Sequence, residues 1–162
     1  MTQRVPILFV DSNVLIEAVL IPLSAASVIS DLVANGTFDM ATCALTVADA
    51  ERAFLNKVQD PAALDILVRR WEDLKSRMRL EILVDPSLAE VKLAYEKYIG
   101  VMRHKADIPV LAAALSMNPA PRVILSGNRD HFNDAVSQRC GIKICSCQEF
   151  IEFISKAPKP PQ

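Results

Sequence analysis

Carboxylates stand at four points of the chain where they could act together. Asp11 ends an apolar run, Asp107 opens a helix of small residues, Asp130 lies in a polar turn after a later apolar run, and Glu51 lies early in another helix. Carboxylates that converge repel one another, so such clusters usually hold a divalent cation. Oxygen ligands select magnesium or manganese over zinc. The chemistry expected of such an ion is the hydrolysis of a phosphate ester.

Other catalytic arrangements are not supported by the sequence. The only histidines are His104 and His131, and neither lies in a recognisable Ser-His-Asp context. Four glycines do not provide a GxGxxG or P-loop phosphate site. Cys145 and Cys147 lack the two-residue spacer of a zinc knuckle, so buried thiols beside strands are expected instead.

Five short apolar runs rich in β-forming residues alternate with helical patterns. The predicted strands are 5–10, 38–44, 80–84, 122–126 and 141–145. The predicted helices are 14–21, 23–34, 46–58, 61–78, 88–98, 107–115 and 148–154. This alternation predicts an α/β fold, with three layers (α/β/α) and a central, mostly parallel sheet of about five strands.

The predicted sheet explains how the acidic residues would meet. Ligands of open α/β sheets bind outside the carboxyl ends of the strands. Asp11 is expected at this edge, and Glu51 could lean back over it from its helix. Asp49 competes with Glu51, but we predict that it serves in a weak capping box with Thr46.

Length and composition indicate a single folded domain. The chain has 162 residues, of which 51% are hydrophobic and 23% charged, and this composition excludes disordered and low-complexity classes. We predict one domain over 1–155 and a disordered tail over 156–162. The net charge of −1 argues against a protein that coats nucleic acid through a broad basic face, but it is compatible with an enzyme that has a local basic rim.

The apolar runs are too short or too interrupted for membrane insertion. The longest, 14–29, is broken by Glu17 and Pro22, and the run 5–10 is shorter than the core of a signal peptide. A soluble, cytoplasmic protein with no membrane association is therefore expected.

Five segments, in order and spanning nearly the whole chain, resemble the PIN domain family, most closely the single-domain bacterial proteins that include toxins of toxin-antitoxin pairs. They are Phe9-Val-Asp-Ser-Asn-Val-Leu-Ile16, Glu51-Arg52 after Thr46, Lys105-Ala-Asp-Ile-Pro-Val-Leu-Ala-Ala-Ala114, Ile124-Leu-Ser-Gly-Asn-Arg-Asp-His-Phe132 and Gln148-Glu-Phe150.

The resemblance implies an endoribonuclease that depends on Mg²⁺ or Mn²⁺. By position, Asp11, Glu51 and Asp107 correspond to the three core acidic residues. The fourth family position falls on Asn128, and Asp130 matches an acidic position that some members carry, so either could be the fourth site residue. Because an amide binds a divalent ion less tightly than a carboxylate, the number of ions, one or two, stays open.

The resemblance also assigns supporting residues and partners. Polar residues that would hydrogen-bond the carboxylates are Ser12, Asn13, Thr46 and Ser126. Independently of the resemblance, the basic run with Arg103 and Lys105 leads into Asp107 and is a candidate for RNA contact, and Arg129 and His131 beside the polar turn could steer phosphate. If the chain is a toxin, the resemblance implies a small antitoxin partner, and it also implies homodimers.

Alternative interpretations remain open at this point. Asp11 and Asp107 could be plain helix caps, and Glu51 an ordinary surface residue. The fold could serve as a catalytically weak RNA- or protein-binding module, which the neutral Asn128 favours. A receiver-like or phosphatase-like domain also places an aspartate after the first strand, although such domains need acidic neighbours where this chain has Ser12 and Asn13.

Overall fold

The computed structural model describes residues 5–157, which form a five-stranded sheet with helices on both faces. Its strands, all parallel, lie in the order β3-β2-β1-β4-β5. They are β1 (Ile7–Val10), β2 (Asp39–Cys43), β3 (Glu81–Leu83), β4 (Val123–Leu125) and β5 (Lys143–Cys145). The five predicted strands and the parallel α/β/α architecture are confirmed.

Eight α-helices are present within residues 5–157, and a short 3₁₀ turn, Lys105–Asp107, leads into the sixth. The helices are α1 (Ser12–Leu20), α2 (Ala25–Ala34), α3 (Ala44–Lys57), α4 (Pro61–Met78), α5 (Leu88–Tyr98), α6 (Ile108–Leu115), α7 (Asp134–Cys140) and α8 (Cys147–Lys156).

The central strand β1 contributes to an apolar core on each side of the sheet. Leu8 and Val10 belong to one core, and Phe9 between them belongs to the other, because successive side chains of a strand point to opposite faces. Residues of α1, α2, α3, α4 and α8 build the first core, and residues of α5, α6 and α7 build the second. Strand β1 is therefore covered on both faces, which suits its continuous apolar sequence.

The predicted start of α3 and its predicted capping box differ from the structure. Helix α3 begins at Ala44 with Cys43 as its cap residue, and no side chain caps it, so the weak capping box of Thr46 and Asp49 is not formed. The hydroxyl of Thr46 lies 3.2 Å from Sγ of Cys43 instead. Since the buried strand runs directly into the helix, the helix starts two residues before the predicted cap.

Helix α7 was not predicted from the sequence, although its two ends carry recognisable signals. The side chain of Asn133 accepts a hydrogen bond from the backbone N–H of Val136 at 3.1 Å, as an N-cap residue does. Gly141 ends the helix with φ of +73°, a conformation that glycine adopts without strain. Seven residues are too few to show a helical apolar period, so only these caps could have revealed α7.

The C-terminal boundary lies later than predicted. Helix α8 continues to Lys156, which the sequence placed in the tail, and residues 158–162 of the predicted disordered tail lie outside the described residues. Over residues 5–157, no single helix is long and apolar enough to cross a membrane. The pair α1 and α2 meets the length and composition criteria together, but it is bent by 93°.

Candidate functional site

Asp11 is a buried carboxylate at the carboxyl end of the central strand. Its residue is 8% exposed, and it is the N-cap of α1. Oδ1 accepts a hydrogen bond from the backbone N–H of Ser12 at 2.7 Å. Oδ2 accepts one from the Ser126 hydroxyl at 2.9 Å and one from the Asn13 amide at 3.3 Å. The pairing of β1 with β4 brings Ser126 to this carboxylate.

Asp107 lies in the 3₁₀ turn that leads into α6. Although it occupies the N-cap position of α6, its side chain forms no capping hydrogen bond. Its Oδ2 atom is buried, and no donor reaches it with acceptable hydrogen-bond geometry. Nδ1 of His131 lies 2.5 Å from this oxygen, so the two side chains form an electrostatic contact that is off the direction of an N–H donation. A plain capping role for Asp107 therefore does not agree with the structure.

The electrostatics of Asp11 place other carboxylates near it. Burial raises the pKa of Asp11 above its ordinary value of 3.8, and the negative charges of Asp107 and Asp49 raise it further. The hydrogen bonds from Ser126 and Ser12 oppose this rise. A cation bound beside Asp11 would relieve the repulsion among these carboxylates.

Glu51 points away from Asp11, in contrast to the expectation that it would lean over the same edge. Its Oε1 accepts a 2.9 Å hydrogen bond from Nε1 of Trp71 on α4, and Nζ of Lys75 lies 3.8 Å from it. Both partners belong to α4, so Glu51 joins two helices. The physical reason is the rotation of α3 about its axis, which the buried residues of this helix determine.

Asp49 takes the flank of α3 on which Glu51 was expected. Thr46, Ala50 and Phe54 form the buried stripe of α3. Residues two positions apart on a helix are separated by about 200°, so Asp49 and Glu51 lie on opposite flanks of this stripe. Asp49 acts electrostatically on Asp11 and is paired with Arg52 at 2.9 Å, with its side chain 53% exposed. Sequence reasoning assigned Asp49 to a cap; its distance of three residues from the buried Thr46 is the signal that could have favoured it.

The two candidates for the fourth position have different surroundings. Asn128 is half-buried, its backbone N–H donates to the Ser126 hydroxyl at 3.1 Å, and its Nδ2 lies 2.9 Å from Nδ1 of His131. Asp130 is exposed, and no hydrogen bond or ion pair to its side chain is found between residues 5 and 157. Asn128 is thus connected to both Asp11, through Ser126, and Asp107, through His131.

Of the four residues expected to hydrogen-bond the carboxylates, two do so through their side chains. The side chains of Ser126 and Asn13 donate to Asp11, and Oδ1 of Asn13 also accepts from the backbone N–H of Gly127 at 2.8 Å. Ser12 contributes its backbone N–H rather than its hydroxyl. The Thr46 hydroxyl contacts Cys43, so its expected bond to a carboxylate is not seen.

Of the three basic residues predicted to contact RNA, Arg129 is placed differently from Arg103 and Lys105. Arg129 donates to the carbonyl of Phe132 and to Asp134 at 2.6 Å, and its Nε lies 3.7 Å from Glu149. It is therefore engaged within the protein, and the expectation that it would contact RNA is not supported by its placement.

Arg103 and Lys105 are exposed and line an open cavity of about 640 Å³. One wall of this cavity is the segment 99–105, which leads directly to Asp107. The other wall is 133–135, which follows His131. The cavity is therefore lined by segments adjacent in sequence to Asp107 and His131, and Arg103 and Lys105 are among its lining residues.

The residues present fit a divalent ion held by few protein ligands. In the part of the chain that the structure describes, no group of three or more His, Cys, Asp or Glu side chains is arranged to hold a metal. Magnesium, however, is commonly bound by one or two carboxylates, with waters and substrate phosphate completing its shell. Asp11 and Asp107, with an Asp107 oxygen that lacks a hydrogen bond, suit such a site. A closed protein cage for the ion does not agree with the structure.

The protein is a three-layer α/β protein with an acidic pocket, formed by Asp11 and Asp107, at the carboxyl ends of its strands. The PIN-type fold is confirmed by solved structures. VapBC2 from Rickettsia felis, bound to a DNA fragment from its promoter, superposes with a TM-score of 0.59 at 14% identity, covering 86% of this chain and 98% of that one. FitAcB from Neisseria gonorrhoeae gives 0.62 at 16%, covering 87% and 98%. PAE2754 from Pyrobaculum aerophilum gives 0.58 at 16%, covering 94% and 92%.

At these identities the likeness concerns the fold. No protein-family model matches the sequence, and no curated protein matches it either.

Proposed function

We propose that this protein is an endoribonuclease of the PIN type that hydrolyses RNA phosphodiesters with Mg²⁺ or Mn²⁺. The observation that carries the proposal is the pairing of Asp11 and Asp107. Residues far apart in sequence bring two carboxylates close enough for the charge of one to raise the pKa of the other. Such mutual repulsion is unfavourable in a metal-free fold, and functional sites are where it is commonly found.

Asp11 and Asp107 would hold the ion, with Asp49 near enough to add its negative charge. A bound ion of this kind acidifies a water and neutralises charge on the phosphate. Ser126 and Asn13 fix the orientation of Asp11 through their hydrogen bonds. Asn128 stands at the same pocket as a neutral ligand or a hydrogen-bond donor to the substrate. Asp130, which is exposed, would need to turn inward to take part.

The open cavity lined by Arg103 and Lys105 supports a nucleic-acid substrate. Arg103 and Lys105 make no salt bridge within residues 5–157, although Nζ of Lys105 lies 5.7 Å from the centroid of the Tyr95 ring, and both exposed cations are available to contact phosphates. Phosphate contacts of this kind position a strand without reading its sequence. The choice of RNA over DNA rests on the resemblance of the chain to the PIN family.

We further propose a protein partner of the antitoxin type, and homodimers, on the same resemblance. The structural neighbour VapBC2 is described in complex with promoter DNA. A partner would be found by co-expressing this chain with the protein encoded next to it and measuring whether the two copurify and whether cleavage falls.

Cleavage of labelled RNA in the presence of Mn²⁺ tests the proposed activity. We expect Asp11→Asn and Asp107→Asn each to reduce the rate at least a hundredfold, because each removes one of two ligand carboxylates. Asp65→Asn is the matched control: its carboxylate is 59% exposed, pairs only with Arg69 on α4, and should leave the rate unchanged. Cleavage that survives in Asp107→Asn would contradict the proposal.

A catalytically weak RNA-binding module is the second candidate. It is favoured by the neutral Asn128 and by the lack of a group of three metal-binding side chains among residues 5–157. This candidate predicts RNA binding by the wild type with a cleavage rate no higher than that of Asp11→Asn.

A further inference from the structure

The imidazole of His131 lies against Oδ2, the buried carboxylate oxygen of Asp107. Its Nδ1 is 2.5 Å from Oδ2 of Asp107, and Oδ2 is inaccessible to solvent. The side chains of His131 and Asp107 are only 21% and 24% exposed. The ring therefore lies between the buried oxygen and the solvent.

Two further contacts hold this imidazole in place, and the backbone next to it is also fixed. The ring of His104 stacks on it, with centroids 3.8 Å apart and 24° between the planes. Nδ2 of Asn128 lies 2.9 Å from Nδ1. The next residue, Phe132, is fully buried, and its backbone N–H donates to the carbonyl of Asn128 at 3.0 Å. The position of His131 is thus set by His104, Asn128 and the buried Phe132.

Magnesium binds a carboxylate oxygen at about 2.0–2.1 Å. With His131 in place, Oδ2 of Asp107 offers no surface that an ion could reach, because the atom is buried and Nδ1 lies 2.5 Å from it. The ion and the imidazole therefore exclude each other at this oxygen, and entry of the ion requires His131 to rotate away from Asp107 and from His104.

We propose that His131 is a built-in competitor of the divalent ion, a side chain that occupies Asp107 until metal displaces it. The inference rests on the proposed function, since it concerns the ion that the proposed nuclease requires. By linkage, whatever stabilises the metal-free arrangement weakens metal binding by the same free energy. His131 lowers the affinity of the site for the ion and makes loading dependent on a rearrangement of the stacked pair.

Displacement of His131 would also couple binding of the metal to binding of the substrate. A His131 side chain displaced toward Asn133, which lines the cavity together with Arg103 and Lys105, would be placed to donate an N–H to a phosphate of the substrate. Substrate that retains His131 in this position leaves Asp107 open for the ion. Substrate and metal therefore bind with positive coupling, and each raises the affinity of the other by the same factor.

Isothermal titration of the metal-free protein with MnCl₂ tests the competition. We expect His131→Ala to bind Mn²⁺ about tenfold more tightly than the wild type, because the contact between Nδ1 and Oδ2 of Asp107 no longer has to be broken. His104→Ala, which removes the stacking but keeps the imidazole, should tighten binding by a smaller factor. Thermal unfolding monitored by circular dichroism verifies that both variants are folded.

Lys92→Ala is the control. It removes an exposed positive charge of α5 that lies 3.9 Å from Glu96, so it should change the Mn²⁺ affinity less than twofold. Equal tightening in Lys92→Ala and His131→Ala would overturn the proposal in favour of a general charge effect. Weaker or unchanged binding in His131→Ala would overturn it as well, because His131 would then support the ion or be irrelevant to it.

A measurement on the wild type needs no variant. Titration with MgCl₂ should shift the imidazole ¹⁵N resonances of His131 with the same midpoint as a calorimetric titration of the wild type with MgCl₂. A bound ion without a shift at His131 would contradict the displacement alone. Absence of any divalent binding to the wild type and to His131→Ala would instead overturn the proposed metal-dependent function, and this inference with it.

Discussion

Nε1 of Trp71 donates a hydrogen bond of 2.9 Å to Oε1 of Glu51, which connects α4 to α3. The indole is buried and packs edge-on against Phe54 of α3, with ring centroids 5.7 Å apart. Lys75 lies over the same indole, with Nζ 4.9 Å from its centroid. Glu51 is therefore part of a helix–helix contact.

Loss of the Glu51 carboxylate should lower stability rather than activity. Glu51→Ala leaves the buried N–H of Trp71 without its acceptor and should reduce the free energy of unfolding by about 1 kcal/mol, given that the Glu51 side chain is 48% exposed. Glu51→Gln keeps an acceptor oxygen and should stay close to the wild type. Urea unfolding followed by tryptophan fluorescence measures both. Equal losses in the two variants would contradict the hydrogen-bond explanation.

Asp49 and Glu51 should differ in their effect on RNA cleavage. Asp49→Asn removes a charge that acts on Asp11 and should reduce the Mn²⁺-dependent rate at least tenfold. Glu51→Gln should change the rate less than twofold, because its side chain faces α4. The two variants differ by two positions on one helix and are matched controls for each other. The reverse order of effects would place Glu51 in the site.

The raised pKa of Asp11 predicts how stability depends on pH. Between 3.8 and the raised pKa, the folded metal-free protein binds more protons at Asp11 than the unfolded chain does. The contribution of Asp11 to stability is therefore greatest at low pH and declines as pH rises through the folded-state pKa. Asp11→Asn lacks this decline, so its stability relative to the wild type should increase from pH 4 to pH 7. Urea midpoints in EDTA across this range measure the difference. A relative stability that is independent of pH would mean that the pKa of Asp11 is not raised in solution.

Divalent metal should raise the thermal stability of the wild type. An ion that binds only the folded state adds about 2.7 kcal/mol when its concentration is a hundred times its Kd. Differential scanning calorimetry with MnCl₂ should show this increase, and EDTA should reverse it. Asp107→Asn should lose most of the increment, whereas the exposed Asp65→Asn should retain it. An equal increment in both variants would place the ion elsewhere.

Arg103 and Lys105 should contribute to the salt dependence of RNA binding. Each phosphate contact that is removed should lower the slope of log affinity against log salt by about 0.7 for a single strand. Fluorescence anisotropy of labelled RNA in EDTA, where no metal-dependent cleavage occurs, measures the slope for Arg103→Gln and Lys105→Gln. Lys92→Gln on α5 is the control, since Lys92 is exposed and lies 3.9 Å from Glu96. A slope that changes equally in all three would indicate a diffuse charge effect.

The central strands β1 and β4 could be predicted from sequence because they are continuous apolar runs followed by a polar residue. Val10 followed by Asp11 marks both the end of β1 and the site residue, and the same logic applies to Leu125, which ends β4, and Ser126 after it. Parallel strands buried on both faces leave this pattern in the sequence. The architecture and the place of Asp11 follow from it.

The choice between Asp49 and Glu51 could not be made in the same way. Both residues flank the buried stripe of α3, and only the packing of this stripe against the sheet determines which flank faces Asp11. The contact of His131 with Asp107 was equally hidden, since it joins the loop after β4 to the 3₁₀ turn before α6. Such contacts depend on the rotation of a helix and on the path of a loop. Neither of these produces a periodic pattern in the local sequence.

The pairing of β1 with both β2 and β4 has a consequence for synthesis of the protein on the ribosome. Ser126, which donates to Asp11, is made 115 residues after it, and β4 comes just before Ser126. Until that part of the chain emerges, β1 has one open edge and Asp11 lacks its partner hydroxyl. A nascent chain that stops before β4 lacks the hydroxyl that orients Asp11, so the proposed activity would require synthesis to continue through Ser126.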